Sequence, residues 1–299
     1  MRILNFGSCN IDYVYSLPHI VMEGETEAAE RLEVFPGGKG LNQSVAMARA
    51  GAEVFHAGCI GQEGTMLRDL LTESGADVSY LEIVNERNGH AIIQVSERGE
   101  NSILLFPGAN SAVTEEQIRR VLDCFGAGDV LVLQNEISHV ETLVKEGYAR
   151  GMRIVLNPSS YNEKIEKIDL SMLSYLILNE VEIGQLTGCD DPRRGLAMLA
   201  ARYPTLQVVL TLGGDGCLYR KGEKELWQSV FTVAVKDTTA AGDTFTGYFV
   251  AAVSRGKEIA EALCVASAAA AISVSRMGAA PSIPRCDEVN QFLNEREGR

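Results

Sequence analysis

VLVLQNEISHVETLVKEGYARGMRIVLN, residues 130–157, is the stretch whose reading decides the fold. A short apolar run at 130–133 gives way to a helical stretch at 140–149, and a second run follows at 154–156. The same alternation extends outward in both directions. Short runs at 3–6, 54–57, 175–178 and 207–212 are separated by helical stretches at 42–50, 65–74, 114–124, 181–187 and 193–202. Apolar strand-length runs alternating with helices predict a mostly parallel sheet covered on both faces. The C-terminal third adds helices at 241–254, 258–276 and 286–295. Two regions break the rhythm, 13–35 and 90–106, where strand-like pieces lack an intervening helix. The run at 91–97, the Gly99-Glu100-Asn101 turn and the run at 102–106 read as a hairpin. Such pieces either join as a small antiparallel sheet of their own or extend an edge of the main one.

Bulk composition narrows the function. The 299 residues are 46% hydrophobic and 22% charged, enough for one large core. Twenty-nine glycines against 8 prolines point to tight turns and close backbone approaches. A formal net charge of −13 argues against a nucleic-acid partner, which requires a basic surface. The 7 cysteines include no CxxC pair, and the 4 histidines have no zinc-type spacing. This pattern suits a reducing, cytoplasmic setting. Asp12 interrupts the early apolar stretch, so no secretory pattern is read, and the apolar stretch at 259–274 is shorter than the ~20 residues of a membrane helix. No membrane partner is expected.

Polar residues recur where the strand-like runs end: Asn10 and Asp12, Asn135 and Glu136, Asn157, Asn179 and Glu182, and Thr211 with Gly213-Gly214-Asp215-Gly216. Each one alone fits a helix cap, whereas their recurrence fits a ligand at the carboxyl edge of a parallel sheet. Pro36-Gly37-Gly38-Lys39-Gly40-Leu41-Asn42 is either a tight turn or a loop whose backbone approaches a ligand, and it is not a Walker A loop. Asp237-Thr238-Thr239-Ala240-Ala241-Gly242-Asp243 enters an apolar helix. Free N–H groups at Ala241, Gly242 and Asp243 favour an anion there, and Asp243 either acts as a proton acceptor beside that anion or complements the helix dipole.

Together these segments resemble the PfkB (ribokinase-like) carbohydrate kinase family over nearly the whole chain. The motifs are GGKGLNQSVAMARAG at 37–51 and DTTAAGDTFTGYF at 237–249, with N-x-x-E at Asn179 to Glu182 and T-x-G-x-x-G at Thr211 to Gly216. GSCNID at 7–12 and RMGAAPSIP at 276–284 support them. The resemblance implies a three-layer α/β/α sandwich, one domain over 1–299, with lid strands inserted at about 13–36 and 89–107. It implies ATP-dependent phosphorylation of the primary hydroxyl of a small sugar, D-ribose foremost. A nucleoside, deoxyribose or sugar acid is the alternative substrate, and a catalytically silent sugar-binding protein is the alternative of another class.

By the same resemblance Asn10, Asp12, Gly38, Lys39, Asn42, Glu136 and Asp243 would hold the sugar. Asn179, Glu182, Thr211, Gly213, Gly216, Gly242 and Ser267 would serve the nucleotide, with Glu182 reaching Mg²⁺ through water. Ser267 stands where relatives often carry a larger polar residue. Ala241, Gly242 and Asp243 would be catalytic, Asp243 as base. A K⁺ site would use Asp237, Thr239, Ser273, Arg276, Gly278 and Ser282, and a homodimer through the lid is expected. One departure is Gly61-Gln62-Glu63-Gly64, where the family usually carries G-D-D or G-x-D before a glycine.

Overall fold

The computed structural model describes residues 1–297. Among them, thirteen strands form two sheets. The main sheet holds β1 (Ile3–Phe6), β4 (Val54–Ile60), β5 (Asp77–Ile83), β8 (Val130–Gln134), β9 (Arg153–Asn157), β10 (Tyr175–Asn179), β11 (Gln207–Thr211), β12 (Cys217–Lys221) and β13 (Lys224–Gln228). The second holds β2 (Asn10–Leu17), β3 (Arg31–Gly37), β6 (Gly89–Ser96) and β7 (Asn101–Phe106). Main-sheet order is β13-β12-β11-β10-β9-β8-β1-β4-β5, parallel from β11 to β5, with β12 and β13 antiparallel at one edge.

The opening stretch behaves as its pattern dictates. Successive side chains of a strand face opposite ways, so Val130 and Val132 enter one core while Leu131 and Leu133 enter the other. The first core is closed by α1 (Lys39–Arg49), α2 (Thr65–Glu73), α8 (Ala241–Ser254), α9 (Ile259–Val274) and α10 (Cys286–Glu297). The second is closed by α3 (Glu115–Leu122), α4 (Val140–Ala149), α5 (Glu163–Glu166), α6 (Glu180–Thr187) and α7 (Pro192–Arg202). Two glycines set the packing that matters for the site. A Cβ on Gly247 would fall 2.4 Å from the Ala46 Cβ, so α8 and α1 lie in close contact. A Cβ on Gly40 would fall 2.3 Å from the Ser8 N, which lets α1 start against the end of β1.

The small sheet is separate from the main one, with order β3-β2-β6-β7. It is mixed and not antiparallel as expected, because β2 runs parallel to β6. Both strands follow parallel strands of the main sheet, β1 and β5, and so leave it in the same direction. The β12–β13 hairpin, β5 and the one-turn helix α5 also lay outside the sequence reading. No helix of the described residues is long and apolar enough to cross a membrane.

Candidate functional site

The carboxyl ends of the parallel strands, the start of α1 and the start of α8 meet under the small sheet. Ala240 enters α8 in the left-handed region, at φ 59°. This bend places the first amides of α8 beyond any intrahelical acceptor. The Ala241 amide donates to the Thr238 carbonyl at 3.2 Å. Of the three amides expected to be free, only those of Gly242 and Asp243 remain uncommitted to backbone in this turn. An added Cβ on Gly242 would meet nothing within 4 Å.

Asp243 is buried, and both its oxygens accept hydrogen bonds from α1. Asn42 Nδ2 donates to Oδ2 at 3.0 Å and Gln43 Nε2 to Oδ1 at 3.0 Å. Asn42 Oδ1 is buried without a partner. Glu136 Oε2 accepts from the Ser8 hydroxyl at 2.5 Å and the Lys39 amide at 3.1 Å, so the ends of β1 and β8 and the start of α1 share one carboxylate. Gly38, at φ 94°, allows the chain to pass 2.9 Å from the Asn10 N, measured from where a Cβ would stand. Asn10 Oδ1 accepts from Asn110 Nδ2 at 2.7 Å, anchoring the foot of β2.

Charge is concentrated around Lys39. Burial works against its ammonium, but Asp243, Glu136 and Glu182 offset that and raise its pKa above the ordinary value. Burial raises the Glu136 pKa, with Lys39 pulling the other way. Asp12, on β2 of the small sheet, is pushed up to about 7 by burial and by the neighbouring charges of Glu136 and Asp243.

On the other side of the α8 start lies a cavity of about 680 Å³. Asn179, Thr211, Gly213, Gly216, Gly242 and Ser267 all line it, together with an apolar wall that includes Phe231 and Val274. Gly213 and Gly216 have φ of 51° and 118°, conformations that a side chain would strain. Glu182 does not line the cavity. Its Oε2 accepts the Asn179 amide at 3.1 Å, while Asn179 Oδ1 accepts from the Val181 and Glu182 amides, a capping box on α6.

The residues expected around a cation fall into two groups, with Arg276 in neither. Asp237 Oδ1 accepts from the Thr239 amide and hydroxyl at 2.9 and 2.6 Å, and Oδ2 accepts from the Gly278 amide at 2.8 Å. These bonds, after the cost of burial, hold the Asp237 pKa below the ordinary carboxylate value. Ser273 and Ser282 pair through their hydroxyls at 2.8 Å inside the core. The Arg276 guanidinium turns away and pairs with Glu288 on α10.

Sequence reading missed the polar layer beneath Asp243. Gln43, Gln134, Asn5 and Ser44 are fully buried and hydrogen-bonded in series, ending on His56, whose pKa burial lowers to about 4. The signal was present: amides inside otherwise apolar helix and strand patterns. The departure at Gly61-Gln62-Glu63-Gly64 also has its explanation. Glu63 Oε1 accepts the Asn88 amide at 2.9 Å, and Asn88 Oδ1 accepts the Gly61 amide at 3.0 Å, tying this loop to the foot of β6.

This architecture, with two uncommitted amides at a helix start between a buried polar cluster and a cavity, is of the kind a phosphotransferase uses. The pfkB family carbohydrate kinase model matches residues 2–286, and the chain belongs to that family. It is similar to the ribokinase of Haemophilus influenzae, 37% identical over 297 residues that span 96% of each chain. Among solved structures it resembles ribokinase from Cryptococcus neoformans var. grubii serotype A in complex with ADP, with TM-score 0.88, 34% identity and coverage of 97% and 99%. It also resembles Arabidopsis thaliana ribokinase complexed with ribose and ATP, with TM-score 0.84, 29% identity and coverage of 98% of each chain.

Proposed function

We propose that this carbohydrate kinase transfers the γ-phosphoryl group of ATP to the primary hydroxyl of D-ribose, giving ribose 5-phosphate. The observation that carries the reading is Asp243, a buried carboxylate held by Asn42 and Gln43 at a helix start where the Gly242 and Asp243 amides are uncommitted. Asp243 takes the proton of the attacking hydroxyl, and the Gly242 and Asp243 amides hold the charge that develops on the phosphoryl oxygens. Ala241 contributes the turn that aims them. The unpartnered Oδ1 of Asn42 accepts from a sugar hydroxyl, because a buried acceptor left unmatched costs about 1–3 kcal/mol. Asn10, Asp12, Gly38, Lys39 and Glu136 complete the sugar pocket.

ATP lies along the cavity lined by Asn179, Thr211, Gly213, Gly216 and Ser267. Only one oxygen of Glu182 is used by its capping box, so the carboxylate suits a water-mediated Mg²⁺; that ion, when bound, offsets phosphate charge. Asp237 and Thr239 offer oxygen donors of the kind an alkali cation prefers, and a K⁺ held there with carbonyls of the 276–278 turn would steady the entry to α8. The Ser273 hydroxyl pairs with that of Ser282, which itself donates to the Ala279 carbonyl, so the two support that turn from within.

A second copy of the chain would cover the small sheet. Its edge strand β7 is exposed along its length, with Ile103, Leu104, Leu105 and Phe106 all open. An unpaired apolar edge favours pairing with a like strand. A cytoplasmic setting, where ATP is at hand, fits this enzyme.

An ADP-release assay on ribose, deoxyribose, adenosine, fructose 6-phosphate and a keto-deoxy sugar acid tests the reading. Selectivity for ribose is expected. Preference for another member would reassign the substrate, and silence on the whole panel would overturn the enzyme.

A further inference from the structure

We propose that Gln43 is a positioning residue for phosphoryl transfer, a fixed brace that holds the Asp243 carboxylate in one orientation. The proposal rests on the kinase reading above and deepens it. Gln43 is fully buried and all its hydrogen bonds go to protein groups. Its two N–H donors serve Asp243 Oδ1 at 3.0 Å and Asn157 Oδ1 at 3.1 Å, and its Oε1 accepts from Gln134 Nε2 at 2.7 Å. A primary amide has two donors and one acceptor oxygen. Reversing this one would set its oxygen against two acceptors, so it cannot turn over.

The neighbours are pinned in their turn. Asn157 Nδ2 donates to the Ile177 carbonyl at 2.8 Å, which turns its Oδ1 toward Gln43. Gln134 Nε2 also donates to Asn5 Oδ1 at 3.0 Å, and Asn5 Nδ2 donates to the Gly40 carbonyl and the Ser44 hydroxyl, both at 2.7 Å. The chain of amides therefore ends on a backbone carbonyl at each side, and a carbonyl can only accept. Every amide N–H between is assigned by those two ends, and the one oxygen of the chain left without a partner, Gln134 Oε1, does not face Gln43.

Asn42 differs. It donates to the other oxygen of Asp243, yet its own Oδ1 has no partner. Of the two amides on Asp243, Asn42 is free to answer a ligand and Gln43 is not. The charged groups acting on or near Asp243 are Lys39, Glu136 and Asp12, and none of them bonds to Gln43. Removing the brace lets the carboxylate rotate away from the attacking hydroxyl while the sugar contacts stay in place.

Two variants test this. Gln43→Met keeps the volume and removes the donors; Gln43→Glu keeps the shape and supplies a donor only when protonated. With ribose and ATP, Gln43→Met is expected to lose about 10–100-fold in kcat, the range for a hydrogen bond to a charged group, with the sugar KM within about threefold. For Gln43→Glu the deficit in kcat relative to wild type should widen as pH rises, since the introduced carboxyl then repels Asp243; a packing defect gives no such trend. If Gln43→Met does not fold, Gln43→Glu decides. Turnover within twofold of wild type across the pH range, or KM rising in step with the loss of kcat, overturns the brace. Silence of the wild type on sugars overturns the kinase reading instead. In that case a crystal structure of the ligand-free variant decides: the Asp243 carboxylate should have rotated off the Asn42 amide, and an unchanged carboxylate refutes the proposal.

Discussion

Replacing Gly242 by alanine should make the protein slightly more stable and nearly inactive, a combination few substitutions produce. Gly242 lies in the first turn of α8, and a Cβ there meets no protein atom within 4 Å. Its φ is not among the positive values, so alanine fits the backbone without strain. Exchange of a helical glycine for alanine gains roughly 0.5–1 kcal/mol, mostly from reduced freedom of the unfolded chain. At about 2.1 cal/mol/K per residue of unfolding entropy, a chain of this length gains about 1–2 °C in Tm. The new methyl group stands in the open cavity that Gly242 lines, at the place proposed for the transferred phosphoryl group. The amide itself remains, but the methyl group keeps the phosphoryl oxygens from reaching it, and denying one such donor to a developing oxyanion typically costs about 10²–10³ in kcat. Calorimetry and an ADP-release assay on the same preparation read both effects. Wild-type kcat in a protein with raised Tm would refute the anion site at this turn, and a clear fall in Tm would refute the steric argument.

Four further outcomes follow. Asp243→Asn should lower kcat by roughly 10²–10⁴, the range for a positioned base, and near-normal turnover would remove Asp243 from that role. Asp12, with a pKa raised to about 7, is neutral at acid pH and becomes a full acceptor only above neutrality, so the ribose KM should fall as pH rises through about 7. The sign for stability is opposite: a raised carboxyl favours the folded state below its ordinary value of 3.8, and that contribution is lost as pH climbs to about 7. Asp12→Asn should flatten both profiles; an unchanged KM profile in that variant counts against Asp12. Activity should rise when K⁺ replaces tetramethylammonium, and indifference to the swap would rule out a cation site at Asp237. Leu104→Glu, on the exposed edge strand, should shift a dimer to monomer in light scattering, and a monomeric wild type would reject the lid interface.

How much of this was legible in the chain divides along a physical line. The main sheet and its covering helices follow from periodicity, because the period of burial is a local property of a strand or helix; that the remaining strands stand apart as a second sheet was implied by the family resemblance and is seen in the structure. The mixed direction of the lid was not legible, since β2 and β6 are paired by where they leave the main sheet and not by their own residues. The glycines at 242 and 216 could be read as places where backbone approaches something. Likewise the N-x-x-E pattern could be read as a cap, and the structure forms that capping box. What no local pattern contains is the partner of Asp243. Asn42 and Gln43 lie 201 and 200 positions away and reach it only because Gly247 lets α8 sit against α1. The sequence by itself determined which residues could accept a proton, bare an amide or cap a helix, because those capacities belong to side chains and short turns. Tertiary structure decided which of them meet, through close packing between distant helices, and so made Gln43 a brace, left Asn42 an open acceptor and turned Arg276 away to α10.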